Sequence, residues 1–294
     1  MLFKGLYTAL ITPFADDGSV DFSALESLLA EQIEAKVDGI VALGTTAESP
    51  TISSEEYVKI AKLAKKYTEG NCKLVIGSGS NSTAHTVEQS KLAESLGADG
   101  LLVVNPYYNN PMQEGLYQHY VTVADNVGIP VMLYNHPGRT GVNIEAHTFQ
   151  RLVTHPNIVS LKEANDDMSQ ILSDIDIVKG ENFSVLSGND AEAYSLIREG
   201  GHGVVSVISN LLPKEFKQLI DAAMNGNFTE AQKIHHTIFD LMNALGSIGT
   251  NPIAVKTLLA YQGKIRENFR LPLTTLPADL RKDLINIFEA YQNG

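Results

Sequence analysis

The sequence predicts a (β/α)8 barrel, the TIM-barrel fold, followed by a C-terminal helical appendage. Short apolar runs alternate along the chain with amphipathic stretches, and these stretches begin at residues that favour helix N-termini. Roughly eight such units occupy about 210 residues, which suits a closed barrel better than an open doubly wound sheet. We therefore assign residues 1–224 to the barrel and residues 225–294 to an appendage of three helices.

The apolar runs are interpreted as the parallel strands of this barrel. They comprise residues 6–11, 39–43, 74–77, 100–104, 131–134, 158–162, 184–186 and 203–207.

Polar residues at helix starts support the intervening helices. Ser53, Ser82 and Asp190 each precede an amphipathic stretch and are predicted to cap it. The predicted helices of the appendage cover residues 228–245, 252–262 and 277–291.

Composition excludes several classes of function. The formal net charge of −12 disfavours nucleic acid and anionic membranes as partners. The chain has no apolar stretch of membrane-spanning length and no signal-peptide core, so a cytoplasmic protein is expected. Cys72 is the only cysteine; it precedes an apolar run and is interpreted as a structural thiol.

Polar segments follow several of the predicted strands. A TIM barrel carries its chemistry at the C-terminal ends of its strands, so these segments are where a site is expected. They are residues 44–49, 105–109, 134–141, 162–164 and 187–190.

Lys162 directly follows an apolar run and should lie in the barrel mouth. Burial favours a neutral amine, which can attack a ketone and form a Schiff base. The alternative is a structural lysine paired with a carboxylate such as Glu163.

Three neighbouring segments supply further candidates. Tyr134 ends the preceding strand and could transfer protons opposite Lys162, although it could equally be a packed rim residue. Thr45 and Thr46 could hold a carboxylate or simply cap a turn. Arg139 could bind a second carboxylate through two parallel hydrogen bonds or form a structural ion pair.

No metal-binding or nucleotide-binding motif is present, so no metal and no cofactor is expected.

The order of these segments resembles the dihydrodipicolinate synthase and N-acetylneuraminate lyase family. The similarity extends over essentially the whole chain and includes the segments 44–49, 106–109, 113–119, 134–141, 162–164, 200–207 and 251–256.

The resemblance implies a Schiff-base lysine at Lys162 and a proton-transferring tyrosine at Tyr134. A relay would connect Tyr134 through Thr45 to Tyr108, which in the family reaches in from a neighbouring subunit. The pyruvate pocket would be formed by Thr46, Gly188 and Val205. Family members are commonly dimers of tight dimers, so a homotetramer is expected.

The arginine at position 139 makes the segment 134–141 resemble that of one branch of the family. This branch condenses pyruvate with L-aspartate 4-semialdehyde in lysine and diaminopimelate biosynthesis. One alternative is another pyruvate-dependent aldolase, such as N-acetylneuraminate lyase or a 2-keto-3-deoxy sugar acid aldolase. A second alternative is a catalytically silent barrel that serves as a binding protein.

The resemblance also implies an effector cleft at the tight-dimer interface, where sensitive relatives bind lysine. His85 stands where these relatives have a glutamate, and Ser54 and Tyr57 replace histidines, so inhibition by lysine is expected to be weak or absent. Glu88, one turn from His85, is an alternative acid. The predicted cleft residues are Gly79, Asn81, His85 and Tyr107.

Overall fold

The computed structural model describes residues 2–293, which form a closed barrel of eight parallel strands. The strands follow one another around the barrel in chain order, and β8 pairs with β1 through Gly203 and Gly5 to close it. Each strand lies within two residues of its predicted position, so the predicted fold is confirmed. The strands are β1 Gly5–Ala9, β2 Gly39–Ala42, β3 Lys73–Gly77, β4 Gly100–Val104, β5 Val131–Asn135, β6 Ile158–Glu163, β7 Ser184–Ser187 and β8 Gly203–Ser206.

Helices connect these strands and continue beyond the barrel. The helices are α1 Phe22–Glu34, α2 Ser54–Thr68, α3 Thr83–Ser95, α4 Gln113–Asp125, α5 Pro137–Thr140, α6 Ala146–Val153, α7 Met168–Ile177, α8 Ala193–Arg198, α9 Pro213–Met224, α10 Phe228–Ser247, α11 Ile253–Tyr261 and α12 Ala278–Asn293. None of them, within residues 2–293, has the length and apolar composition needed to cross a lipid bilayer.

Two of the three predicted helix caps are confirmed. Ser53 accepts a hydrogen bond from the backbone N–H of Glu56, and the Glu56 carboxylate accepts one from the Ser53 N–H, which forms a capping box at α2. Ser82 likewise accepts from the N–H of His85 at α3.

The predicted cap at Asp190 is wrong. Glu192 occupies the cap position of α8, and its side chain makes no capping hydrogen bond. The Asp190 carboxylate instead accepts the backbone N–H groups of Val207 and Ile208, 3.0 and 2.8 Å away, just after β8. This long-range use of the carboxylate satisfies two backbone donors where the last strand ends.

The core has two layers, because alternate residues of each strand point to opposite faces. One set of side chains packs between the strands and the surrounding helices. The other set fills the inside of the barrel and includes Tyr7, Val41, Val75, Leu102, Met132, Tyr134, Leu186 and Val205.

The appendage packs directly on the barrel. Helix α10 contacts α9 and α8, and Arg270 in the segment after α11 hydrogen-bonds to Glu56 of α2 and to the carbonyl of Gly18. Since α9 ends at Met224 and α10 begins at Phe228, the division at residue 224 falls between two helices in mutual contact. The division of the chain at residue 224 into a barrel and an appendage therefore stays a prediction.

Candidate active site

Lys162 lies inside the barrel near the C-terminal end of β6. Its neighbour across the β5–β6 pairing is Tyr134, and the Lys162 Nζ lies 4.1 Å from the centroid of the Tyr134 ring. Lys162 is only 5% exposed and Tyr134 is also buried. The sequence-predicted amine and phenol are therefore brought together by adjacent strands in register.

The alternative pairing of Lys162 with Glu163 is wrong. Successive strand residues face opposite sides, so Glu163 points away from the barrel interior and accepts two hydrogen bonds from Asn135 Nδ2, at 2.9 and 3.1 Å. Within residues 2–293, Lys162 has no carboxylate within ion-pair distance. The salt bridge whose two side chains are fully buried in this part of the chain joins Lys256 and Glu48. The Lys162 amine is therefore not tied up in an ion pair with a carboxylate of the described residues.

Gly188 leaves the space that the lysine side chain needs. A Cβ atom at this position would lie 3.1 Å from Lys162 Cε and 2.6 Å from Ala164 Cβ, which is too close for an undisturbed side chain. Val205 lies inside the barrel on β8. The predicted pocket residues thus belong to the next two units of the barrel after Lys162, since Gly188 directly follows β7 and Val205 is on β8.

Thr45 and Thr46 begin a single 3₁₀ turn directly after β2. Thr46 is 3% exposed, and its Oγ1 accepts a hydrogen bond of 2.9 Å from Asn251 Nδ2 of the appendage. Thr45 is half-buried and lines the cavity at the barrel mouth. The structure therefore places both threonines at the mouth, with the hydroxyl of Thr46 held from outside the barrel.

Arg139 belongs to the short helix α5 just after Tyr134 and is exposed. Its Nη2 makes two long contacts of 3.4 Å, to Thr250 Oγ1 and to the carbonyl of Asn251. No carboxylate of the described residues pairs with this guanidinium, so the alternative of a structural ion pair is wrong. Arg139 lines the cavity, where an anionic ligand could accept hydrogen bonds from its guanidinium.

Tyr108 does not reach the site within one chain. It is 88% exposed and adopts a left-handed backbone conformation with φ of 76°. Neighbouring Tyr107 lines the cavity, whereas Tyr108 does not. A relay from Tyr134 through Thr45 to Tyr108 is therefore not assembled by this chain alone.

One cavity of about 680 Å³ connects the barrel mouth to a lateral cleft. Its mouth includes Thr45, Tyr134 and Arg139, and its lateral part includes the four predicted effector-cleft residues, Gly79, Asn81, His85 and Tyr107, together with Ser54 and Tyr57. One continuous space is thus lined by Thr45, Tyr134 and Arg139 and by the predicted cleft residues, whereas Lys162, Thr46, Gly188 and Val205 are not part of its lining.

The lateral cleft lacks the carboxylate that would pair with a ligand ammonium. His85 is exposed, and its Nδ1 lies 3.8 Å from Glu88 Oε2. Glu88 is exposed and is not part of the cavity lining. Tyr57 is buried and donates its hydroxyl hydrogen to the carbonyl of Gly77 at 3.2 Å.

His136 lies beside the reacting pair, with its ring centroid 6.0 Å from that of Tyr134. Burial, followed by the positive charges of Arg139 and Lys162, lowers the pKa of His136 to about 4. The imidazole is therefore neutral near pH 7 and adds no positive charge to the mouth.

A buried polar network behind the site was not predicted from the sequence. Asn135 donates to Glu163 and accepts from Asn105 Nδ2 at 2.9 Å, so its amide bridges β4, β5 and β6. Burial raises the pKa of Glu163 to about 8 and that of the neighbouring Asp174 carboxyl to about 7, so the pair retains a proton where ordinary carboxyls have lost it. The alternation of strand residues identifies the outward face of Glu163, but no local pattern identifies Asp174 as its partner.

The sequence also matches a model of a known protein family. A model of the dihydrodipicolinate synthetase family matches residues 2–291. The chain belongs to the dihydrodipicolinate synthetase family.

Curated relatives in this family carry one name. A 4-hydroxy-tetrahydrodipicolinate synthase of Protochlamydia amoebophila is 42% identical over 98% of this chain and 96% of the relative. A protein of the same name from Methanocaldococcus jannaschii is 43% identical over 98% of both chains. The crystal structure of dihydrodipicolinate synthase from Thermotoga maritima is 39% identical, has a TM-score of 0.96 and covers 99% of both chains.

These relatives support the interpretation of this family member as a lyase that acts as a 4-hydroxy-tetrahydrodipicolinate synthase. None of them favours an N-acetylneuraminate lyase, a sugar acid aldolase or a catalytically silent barrel.

Proposed function

We propose that this chain condenses pyruvate with L-aspartate 4-semialdehyde through a Schiff base on Lys162, the reaction of a 4-hydroxy-tetrahydrodipicolinate synthase. The observation that carries the proposal is the buried pair of Lys162 and Tyr134, side by side across β5 and β6 and without a carboxylate on the amine. A lysine amine that has lost its proton can attack a ketone, and an adjacent phenol can exchange protons with the adduct.

The reaction begins when the Lys162 amine attacks the C2 carbonyl carbon of pyruvate. Tyr134 delivers a proton to the resulting hydroxyl, which leaves as water and yields the Schiff base. Loss of a proton from the pyruvate methyl group gives an enamine, whose carbon attacks the aldehyde carbon of the second substrate. The amino group of that substrate then attacks the Schiff-base carbon and displaces Lys162, which closes the ring of 4-hydroxy-tetrahydrodipicolinate and regenerates the enzyme.

Other residues bind the two carboxylates. The hydroxyls of Thr45 and Thr46 and the space beside Gly188 and Val205 suit the small pyruvate anion. Arg139 binds the carboxylate of the aldehyde, since it lines the cavity and its guanidinium pairs with no carboxylate of the described residues.

A complete site requires a second subunit. Tyr108 is the most exposed tyrosine of the β4–α4 segment, as a residue donated to a neighbouring copy would be in a single chain. The assembly proposed is a homotetramer built as a dimer of tight dimers, working in the cytoplasm as part of lysine and diaminopimelate biosynthesis.

Reductive trapping tests the proposal. Sodium borohydride added with pyruvate should reduce the Schiff base and leave a stable adduct on Lys162, which mass spectrometry of peptides would locate. Lys162→Ala should abolish the adduct. Lys217→Ala, which alters another mostly buried lysine on α9, is the matched control and should preserve it.

Two results would contradict the proposal. An adduct located on another lysine, or none at all, would remove Lys162 as the nucleophile. An enzyme that forms the adduct on Lys162 but, when untreated, releases pyruvate efficiently from N-acetylneuraminate and does not use aspartate semialdehyde would keep the Schiff base but change the substrate.

A further inference from the structure

The loop between β2 and α2, residues 44–51, is held by the appendage at Thr46. The Thr46 Oγ1 accepts a hydrogen bond from Asn251 Nδ2 at 2.9 Å, although the two residues are 205 positions apart. A hydroxyl has one hydrogen to donate, and accepting from Asn251 fixes the rotation in which that hydrogen points elsewhere. Asn251 therefore leaves the Thr46 hydroxyl hydrogen available for donation to another acceptor.

The same loop is held a second time at Glu48, two residues further on. The Glu48 carboxylate lies 2.5 Å from Lys256 Nζ of α11, and the two side chains are 1% and 0% exposed. Its other oxygen accepts the backbone N–H of Arg270 at 3.1 Å. Charges that cannot reach water tolerate little separation, so this pair fixes the position of Glu48 closely.

The backbone transmits this constraint to the threonines. Glu48 has a left-handed conformation with φ of 56° and ends the 3₁₀ turn that contains Thr45 and Thr46. Its N–H bonds to the carbonyl of Thr45 at 3.1 Å, and its own carbonyl accepts from Thr51. A displaced Glu48 would therefore carry both threonines with it.

We infer that Asn251 and Lys256 of the appendage are positioning residues for pyruvate, which they serve by holding Thr46 and Glu48 in place. The inference rests on the proposed function, because it takes Thr46 to bind the pyruvate carboxylate. It assigns a role in substrate affinity to side chains that lie outside the barrel strands.

The test compares two appendage asparagines that make similar contacts. Asn251→Ala removes the hydrogen bond to Thr46. The control, Asn268→Ala, removes the bonds of Asn268 Nδ2 to the carbonyl of Phe14, at 3.3 Å, and to Asp16 Oδ1, at 3.1 Å, neither of which involves residues 44–51. Both asparagines are half-buried. The measured quantities are the pyruvate concentration that gives half-maximal borohydride trapping, KM for pyruvate, kcat and Tm.

Asn251→Ala should raise the half-saturating pyruvate concentration about three- to tenfold, the effect of one neutral hydrogen bond. It should change kcat by less than KM and lower Tm no more than Asn268→Ala does. The control should keep the parental pyruvate affinity. Equal pyruvate affinity in Asn251→Ala and parent would overturn the inference for Asn251.

Lys256 is tested with its partner. Lys256→Met leaves the Glu48 carboxylate buried without a counter-ion, so both Tm and pyruvate affinity should fall. Glu48→Gln combined with Lys256→Met removes both charges and should restore most of the Tm, while the half-saturating pyruvate concentration stays raised. A double variant with parental pyruvate affinity would show that Lys256 serves stability alone.

Trapping separates this inference from the proposed function. A parent enzyme that forms no adduct on Lys162 would overturn both. A parent that forms the adduct, with variants that saturate at the parental pyruvate concentration, would overturn only the positioning role.

Discussion

Replacing Glu163 by glutamine should change how the stability of the barrel depends on pH. Glu163 is 2% exposed and, with its neighbour Asp174, keeps a proton at pH values where ordinary carboxyls have lost it. Glutamine retains an oxygen for the Asn165 N–H, 2.7 Å away, and offers an amide donor where the protonated acid had its hydroxyl. The variant thus carries a donor like the protonated form of the parent, but its amide nitrogen cannot accept the 2.9 Å hydrogen bond that Asn135 Nδ2 donates to Glu163 Oε2.

The sign of the effect follows from proton binding. The folded pKa of Glu163, about 8, lies above its ordinary value of 4.5, so the folded parent holds one more proton than the unfolded chain between these values. Its stabilising contribution is fully present below the ordinary value and is lost as the pH rises through the folded value. The slope is up to about 1.4 kcal/mol per pH unit for one proton.

Glu163→Gln removes this linked proton. Thermal unfolding of parent and variant between about pH 5 and about pH 8, which covers roughly three units of the window, should therefore give curves that converge or cross as the pH rises. The parent should lose stability relative to the variant across the range. Parallel curves over the whole range would refute a shared proton at this site, and Glu88→Gln, at an exposed carboxylate, is the control that should leave the curve parallel to the parent.

Three further results are expected. Arg139→Ala should lower kcat/KM for aspartate semialdehyde about ten- to hundredfold, the range for charge-assisted hydrogen bonds, with little effect on pyruvate trapping; equal kinetics would contradict its role. Inactive Tyr108→Phe and Lys162→Ala subunits should regain activity when mixed and allowed to exchange, and proven mixed dimers without activity would exclude donation of Tyr108 between subunits. Lysine should inhibit weakly, because the cleft has His85 instead of a carboxylate; half-inhibition below about 1 mM, near 4 kcal/mol of binding energy, would contradict this.

The strands could be predicted because parallel strands buried on both faces are continuous apolar runs. Their ends were less predictable, since a strand ends where its pairing ends: β6 continues through Lys162 to Glu163, beyond its apolar residues. The barrel rule then identified the strand ends that carry Lys162 and Tyr134. Local pattern was sufficient for these features.

The contacts that depend on distant residues could not be predicted in this way. Nothing in the sequence around Glu163 identifies Asn135 as its partner, and local proximity suggested Lys162 instead. Asp190 precedes a helix and so resembled its cap, but the backbone donors after β8 bind its carboxylate.

The attachment of the 44–51 loop to the appendage also sets an order of events during synthesis. The ion pair of Glu48 and Lys256 spans 208 positions, and the contact between Glu48 and Arg270 spans 222. Ribosomes make the N-terminal part first, so the loop leaves the ribosome long before its partners exist. A nascent chain can pair all eight strands while this loop still lacks its buried counter-ion. The loop can therefore reach its final conformation only after the appendage has been synthesised.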